Sequence, residues 1–233
     1  MLTSRGRFRA GRFARPILLL LAYAGWASWT SAAEPLIVEQ QLRTFKISVD
    51  GTERGTLTML LARRSDGTET MRGEAELLFN FVVYKYRYFS VGTETWKDGR
   101  LIRLANEADY NGDKYVVQAT ATSQALEYEV NGESQRTAAD VWVTSYWCEP
   151  APDKIGRKLN LFDSDKGRPR TGTLQRIGTE KLTVATPPVT ATHYRIRGEV
   201  EVDVWYDDEG RLMRQTSLES GHRTLLELTK IRR

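Results

Sequence analysis

Two histidines, His193 and His222, are the side chains of this chain that titrate near neutral pH. His193 stands in Ala191-Thr192-His193-Tyr194-Arg195, which reads as a strand, and His222 follows Gly221 at a hairpin turn. Neither has the sequence context of a catalytic base. The chain has no G-x-S-x-G nucleophile elbow and no HExxH pair, so neither a serine triad nor a catalytic zinc site is indicated. Cys148 is the single cysteine. That count excludes an intrachain disulfide, a CxxC redox pair and a zinc ribbon. Beside Trp147 it reads as a small apolar filler.

Acidic residues offer more material but less pattern. Asp163-Ser164-Asp165-Lys166-Gly167 starts like a calcium loop. Gly167 then stands where a third oxygen ligand belongs, and Leu174 where the bidentate glutamate belongs. The segment reads as a solvated turn, as does the hairpin tip Asp207-Asp208-Glu209-Gly210. Many carboxylates are present, but nothing in their spacing selects a pair for glycoside hydrolysis. The expectation is a protein without catalysis, cofactor or metal.

Aromatic residues carry the clearer signal. Tyr84, Tyr86 and Tyr88 alternate onto one strand face, and Trp96 lies in phase with them if no bulge intervenes. Trp142 and Tyr146 alternate with Val141, Val143 and Trp147. Trp205 falls opposite the Val200–Val202–Val204 face, beside acids. A sheet with one covered face does not need apolar groups on both sides. Either a second layer covers the sheet or one face lines an apolar cavity. On the cavity reading, Tyr84, Tyr86, Tyr88, Trp96, Trp142, Tyr146 and Trp205 are its candidate lining, each a large apolar body with a polar tip.

The elements that must position these rings are strands. Val200-Glu201-Val202-Asp203-Val204 alternates with period two, and Leu57–Leu61 and Leu225–Leu228 are β-type runs. Asp50-Gly51, Asp66-Gly67, Asp98-Gly99, Asn111-Gly112, Asn131-Gly132 and Glu209-Gly210 are turn pairs tolerant of positive φ. Several intervals between them are long for a small sandwich. The spacing predicts an all-β fold: a large antiparallel meander curled into a half-barrel or flattened barrel, with at most one or two short helices. Thr137–Tyr146 suits a helix and a strand equally well. The polar stretch near 149–172 is expected to be a long loop within a single domain, 34–233.

The order of several short segments resembles a known family. Glu94-Thr95-Trp96-Lys97-Asp98-Gly99-Arg100-Leu101 comes first, then Asn111-Gly112, Ser145-Tyr146-Trp147 and Leu161-Phe162-Asp163. Asp203-Val204-Trp205-Tyr206-Asp207 and Gly210-Arg211-Leu212 follow. Together they resemble a family of exported bacterial β-rich proteins of unknown function, over about Val38 to Ile231. That resemblance implies no activity and no catalytic residues. A looser, fold-level similarity is to LolA- and LolB-type envelope carriers, which hold acyl chains in a concave apolar sheet.

The first 33 residues fix the expected compartment. Arg5, Arg7, Arg9, Arg12 and Arg15 precede an apolar run from Ile17 to Ala27, and Ser31-Ala32-Ala33 gives a small-residue exit. This is the layout of a signal peptide, 1–33. The apolar run is short of the roughly 20 residues a membrane span needs; an uncleaved signal anchor is the alternative, and after cleavage no stable span is expected. Cleavage leaves 200 residues and takes the formal charge from +4 to −1, because the leader holds five arginines and no acids. Basic charge therefore gives no case for nucleic acid. The sequence thus predicts a periplasmic or secreted binding or carrier module for a lipid-like or amphipathic envelope ligand. An envelope protein-interaction scaffold is the alternative, and a glycan or lipid hydrolase of the envelope is the third reading.

Overall fold

The structure is a computed structural model that describes residues 34–80, 85–184, 188–219 and 221–233. The leader and Tyr84 lie outside the described residues. Among the described residues fifteen strands form one sheet: β1 (Ile37–Val49), β2 (Thr52–Arg64), β3 (Glu69–Asn80), β4 (Lys85–Lys97) and β5 (Arg100–Tyr110) come first. Then follow β6 (Asp113–Ala121), β7 (Ala125–Val130), β8 (Glu133–Ala138), β9 (Val141–Val143) and β10 (Lys158–Asp163). β11 (Arg168–Leu182), β12 (Val189–Gly198), β13 (Glu201–Tyr206), β14 (Leu212–Glu219) and β15 (His222–Arg232) complete it.

Chain neighbours are sheet neighbours throughout, and β1 pairs with β15, so the order is circular with one break, between β8 and β9. Only Ala139 and Asp140 connect those two strands, which draws the two sheet edges together into a nearly closed barrel. Every pairing is antiparallel except β9 with β10, because the chain passes through the interior between them.

Tight turns follow from residue type. Asp50-Gly51, Asp98-Gly99, Asn111-Gly112 and Asn131-Gly132 have positive φ at both residues, as a twist-matched two-residue hairpin requires. Alternation then sets the faces. On β4, Tyr86, Tyr88, Ser90, Gly92, Glu94 and Trp96 share the inward face, with Trp96 in phase as its position predicts. One apolar core draws residues from both halves of the sheet, from Phe45 through Leu126 and Leu161 to Leu228.

The stretch 149–172 is not one long loop. It holds a 3-10 turn at Pro152–Lys154, β10 and the first residues of β11. Thr137–Tyr146 is neither a full helix nor a full strand: β8 ends at Ala138 and β9 covers only Val141–Val143.

Candidate functional site

Two pieces of chain fill the barrel where wall side chains do not. The first is Thr144–Pro150. Its Tyr146 carbonyl accepts the Tyr206 hydroxyl at 2.8 Å, and its Trp147 carbonyl accepts Arg43 Nη1 at 2.9 Å. Trp147 meets Trp96 edge-on, with ring centroids 6.2 Å apart. Both indole N–H groups donate to one oxygen of Glu94, at 2.8 Å from Trp96 and 3.1 Å from Trp147. Glu94 is only 3% exposed. Burial raises its pKa to about 7, against the pull of the hydrogen bonds from Trp96 and Trp147.

The second piece is the turn Asp163–Gly167, between β10 and β11. The solvated turn expected here is instead a plug seated against the wall. Asp163 Oδ1 accepts the backbone N–H of Asp165 and of Lys166, both at 3.1 Å, which shapes the turn. Asp165 then projects toward β4 and β5. Its Oδ2 accepts the hydroxyls of Tyr88 at 2.6 Å and Tyr110 at 2.7 Å. Its Oδ1 accepts Ser90 Oγ at 2.8 Å and Asn106 Nδ2 at 3.0 Å. Burial and the Asp165 charge push the Tyr88 and Tyr110 phenols far above their usual pKa, so both remain donors.

Gly167 makes the seat close. Its φ is +61°, and a Cβ there would stand 2.3 Å from Val130 Cγ2. Gly167→Ala is therefore expected to lift the plug and lower stability by about 1–3 kcal/mol. An unchanged urea midpoint would show that the turn is not seated this way.

A third cluster lies on the outer face. His193 stacks on Trp205 with ring centroids 4.2 Å apart, and His193 Nε2 and Asp203 Oδ1 are hydrogen-bonded at 2.6 Å. Arg195 Nε and Arg197 Nη2 donate to the same carboxylate at 2.8 and 2.6 Å. Burial works to raise the Asp203 pKa, but hydrogen bonds from Arg197, His193 and Arg195 outweigh it and hold it low. The Trp205 indole N–H donates to Glu180. The outer face also carries the hollows. One of about 650 Å³ crosses β5–β8 between exposed Arg103, Gln118, Glu127, Glu129 and Arg136. A second of about 330 Å³ continues it toward β3 and β4. Both are open, with polar and apolar surface in about equal share.

A sequence profile described as a domain of unknown function, DUF6134, matches residues 45–229. The chain belongs to the DUF6134 family. No curated protein matches it in sequence. In structure, the DUF6134 chain is similar to the crystal structure of a beta-barrel-like protein of the domain of unknown function DUF1849 from Brucella abortus. The TM-score is 0.62 at 9% identity, covering 84% of this chain and 98% of that chain. The likeness shows the barrel-like fold and no more.

Within this DUF6134 barrel the aromatic set divides. Tyr88 and Tyr146 are inside, Tyr88 bonded to the plug and Tyr146 only 2% exposed. Trp96 is inside at Glu94, and half-buried Trp142 meets Tyr146 edge-on at 4.9 Å. Tyr86 is half-buried near the start of β4 against Phe79. Trp205 is on the opposite face from these rings, as its phase against the valines requires. Tyr84 lies outside the described residues.

Sequence reading met Asp165 only within a run read as a solvated turn, and gave no site role to Tyr110, Ser90, Asn106 or Glu94. For Glu94 a signal existed: it stands two residues before Trp96, in phase with an inward row. Among the described residues no His, Cys, Asp or Glu cluster fits a metal ion. Burial raises the Cys148 thiol to about 12, which makes it a poor nucleophile.

Proposed function

We propose that the protein is an exported binding or carrier module for a lipid-like or amphipathic envelope ligand, held inside the barrel and not transformed there. The observation that carries this reading is the way the interior is filled. A sheet of this many strands encloses more width than its own side chains occupy; closed barrels of 16–18 strands leave a channel. Around the plug the wall shrinks to Ser90, Gly92, Ala108 and Ala119, and the turn Asp163–Gly167 takes the space. Tyr88, Tyr110 and Tyr115 lie beside it in edge and tilted contacts. A guest enters when this turn leaves. The action would then be that of LolA- and LolB-type carriers, an analogy of architecture.

The test is direct. Protein purified from its native compartment is extracted with organic solvent and the extract analysed by mass spectrometry. A co-purifying amphiphile near one per chain is expected, together with uptake of fluorescent acyl probes. Protein that is consistently empty and takes up no probe sinks the reading.

The trough on β5–β8 favours a second reading, a scaffold for an envelope protein. It adjoins β8, whose outer backbone edge is unpaired, and an extended peptide adds to such an edge. Crosslinking in cells that captures one dominant protein and no lipid would support it over the carrier.

A further inference from the structure

The Asp165 contact has the composition of a ligand site. Four donors converge on one carboxyl group, two per oxygen: Tyr88 and Tyr110 on Oδ2, Ser90 and Asn106 on Oδ1. All four come from the wall, on the adjacent strands β4 and β5, and the acceptor comes from the plug. The wall donors are neutral. Lys166, whose ammonium lies 4.2 Å from the Tyr110 ring centroid, belongs to the turn and departs with it. Neutral, partly buried donors suit a singly charged carboxylate, whereas phosphate recognition draws on arginine or lysine.

The interior holds one more buried hydroxyl. That of Tyr146 has no hydrogen-bond partner among the described residues. Burial raises its pKa, and the Asp163 charge acts in the same direction. A buried donor left without a partner carries a cost that a ligand oxygen would remove. Next to the cradle the surface turns apolar, with the Tyr115 ring against Tyr110, and Val117 and Val130 beneath Gly167.

We propose that Asp165 is an internal stand-in for a ligand. Tyr88, Tyr110, Ser90 and Asn106 form a receptor for the carboxylate head of an amphipathic guest, and the turn Asp163–Gly167 occupies it until the guest displaces it. The apolar part of that guest rests on the carrier reading above; the cradle does not. Carboxylate for carboxylate, the exchange conserves the wall's hydrogen bonds, so a guest displaces the turn without stranding buried donors.

Two measurements on the full chain test this. In the first, melting of wild type, Asp165→Ala and Asp165→Ala/Tyr88→Phe/Tyr110→Phe is followed in sodium acetate against equal sodium chloride. Acetate is expected to raise the melting temperature of Asp165→Ala, leave wild type unmoved and leave the triple variant unmoved. No acetate-specific rise in Asp165→Ala, or an equal rise in the triple variant, overturns the proposal. In the second, cis-parinaric acid is titrated into each protein. Asp165→Ala is expected to bind about tenfold more tightly than wild type, the factor that one charge-assisted hydrogen bond carries. Should Asp165→Ala fail to fold, Asp165→Asn takes its place in the parinaric titration alone: it still fills the cradle, so no acetate rescue is expected, but it gives up the charge-assisted bonds and is expected to bind more tightly than wild type, and binding no tighter than wild type overturns the proposal. Acetate rescue without parinaric binding supports the cradle and sinks the acyl carrier. Parinaric binding that ignores Tyr88→Phe and Tyr110→Phe overturns the cradle and leaves the carrier standing.

Discussion

Glu94→Gln is expected to stabilise the protein at pH 8. In the native state burial holds the Glu94 carboxyl at a pKa of about 7, against an ordinary value of 4.5. Between those values the folded chain keeps a proton that the unfolded chain has released. Stability therefore falls as pH rises through that window, and the full deficit is present above the folded pKa. The gap corresponds to about 3 kcal/mol. Glutamine retains an acceptor oxygen for the two indole N–H groups and abolishes the buried charge. Its melting temperature at pH 8 should exceed wild type by roughly 6–12 °C for a domain of this size. The advantage should shrink steadily as pH falls through this window and vanish below pH 4.5, where wild-type Glu94 is protonated in both states. A variant less stable than wild type at pH 8, or an advantage independent of pH, would mean that Glu94 is not held this way.

Loss of Asp207 is expected to be the most damaging single change at the opposite sign of charge. Its side chain is fully buried in a salt bridge 2.6 Å from Arg211 Nη2. Its Oδ1 also accepts the backbone N–H groups of Glu209 at 3.1 Å and Arg211 at 2.9 Å, which shape the β13–β14 turn. Arg43 lies in the same field. Burial first, then Arg211, lowers its pKa to about 10, and Asp207 acts against both. Asp207→Ala leaves Arg211 with only the exposed Glu209, 2.8 Å from its Nη1, and takes a counter-charge from the field of buried Arg43; breaking a buried pair costs about 3–5 kcal/mol. Urea unfolding should show this directly. Adding Arg211→Met should recover part of the loss, because an apolar side chain there removes one stranded charge. A loss below about 1 kcal/mol would contradict the account, since that is the range of exposed pairs.

Local rules made the hairpins readable and left the barrel's contents hidden. Asn111-Gly112 and Asn131-Gly132 need only their own φ preferences, so their turns could be read from two letters each. Trp96 could be placed inward because β4 keeps its period through ten residues without a bulge against β3. Trp205 could be placed opposite its valine neighbours for the same reason. Asp165 could not be placed. Its four donors are separated from it by 55 to 77 residues, and no periodicity links a turn to the wall it enters. The stretch Lys158–Asp163 was hard to see as a strand because charged residues flank its short apolar middle.

The pairing of the first strand with the last has a consequence for how the molecule is made. Thr229 donates to the Thr44 carbonyl across 185 positions of sequence. While synthesis is in progress, β1 can pair with β2 but its other flank has no mate. That flank stays an unprotected template for foreign strands until β15 emerges. Closing so distant a contact is slow, because the entropy of gathering the chain must be met before the reward arrives. Closure of this barrel therefore waits for β15, and Ile37–Val49 is open along one flank in the interval before it.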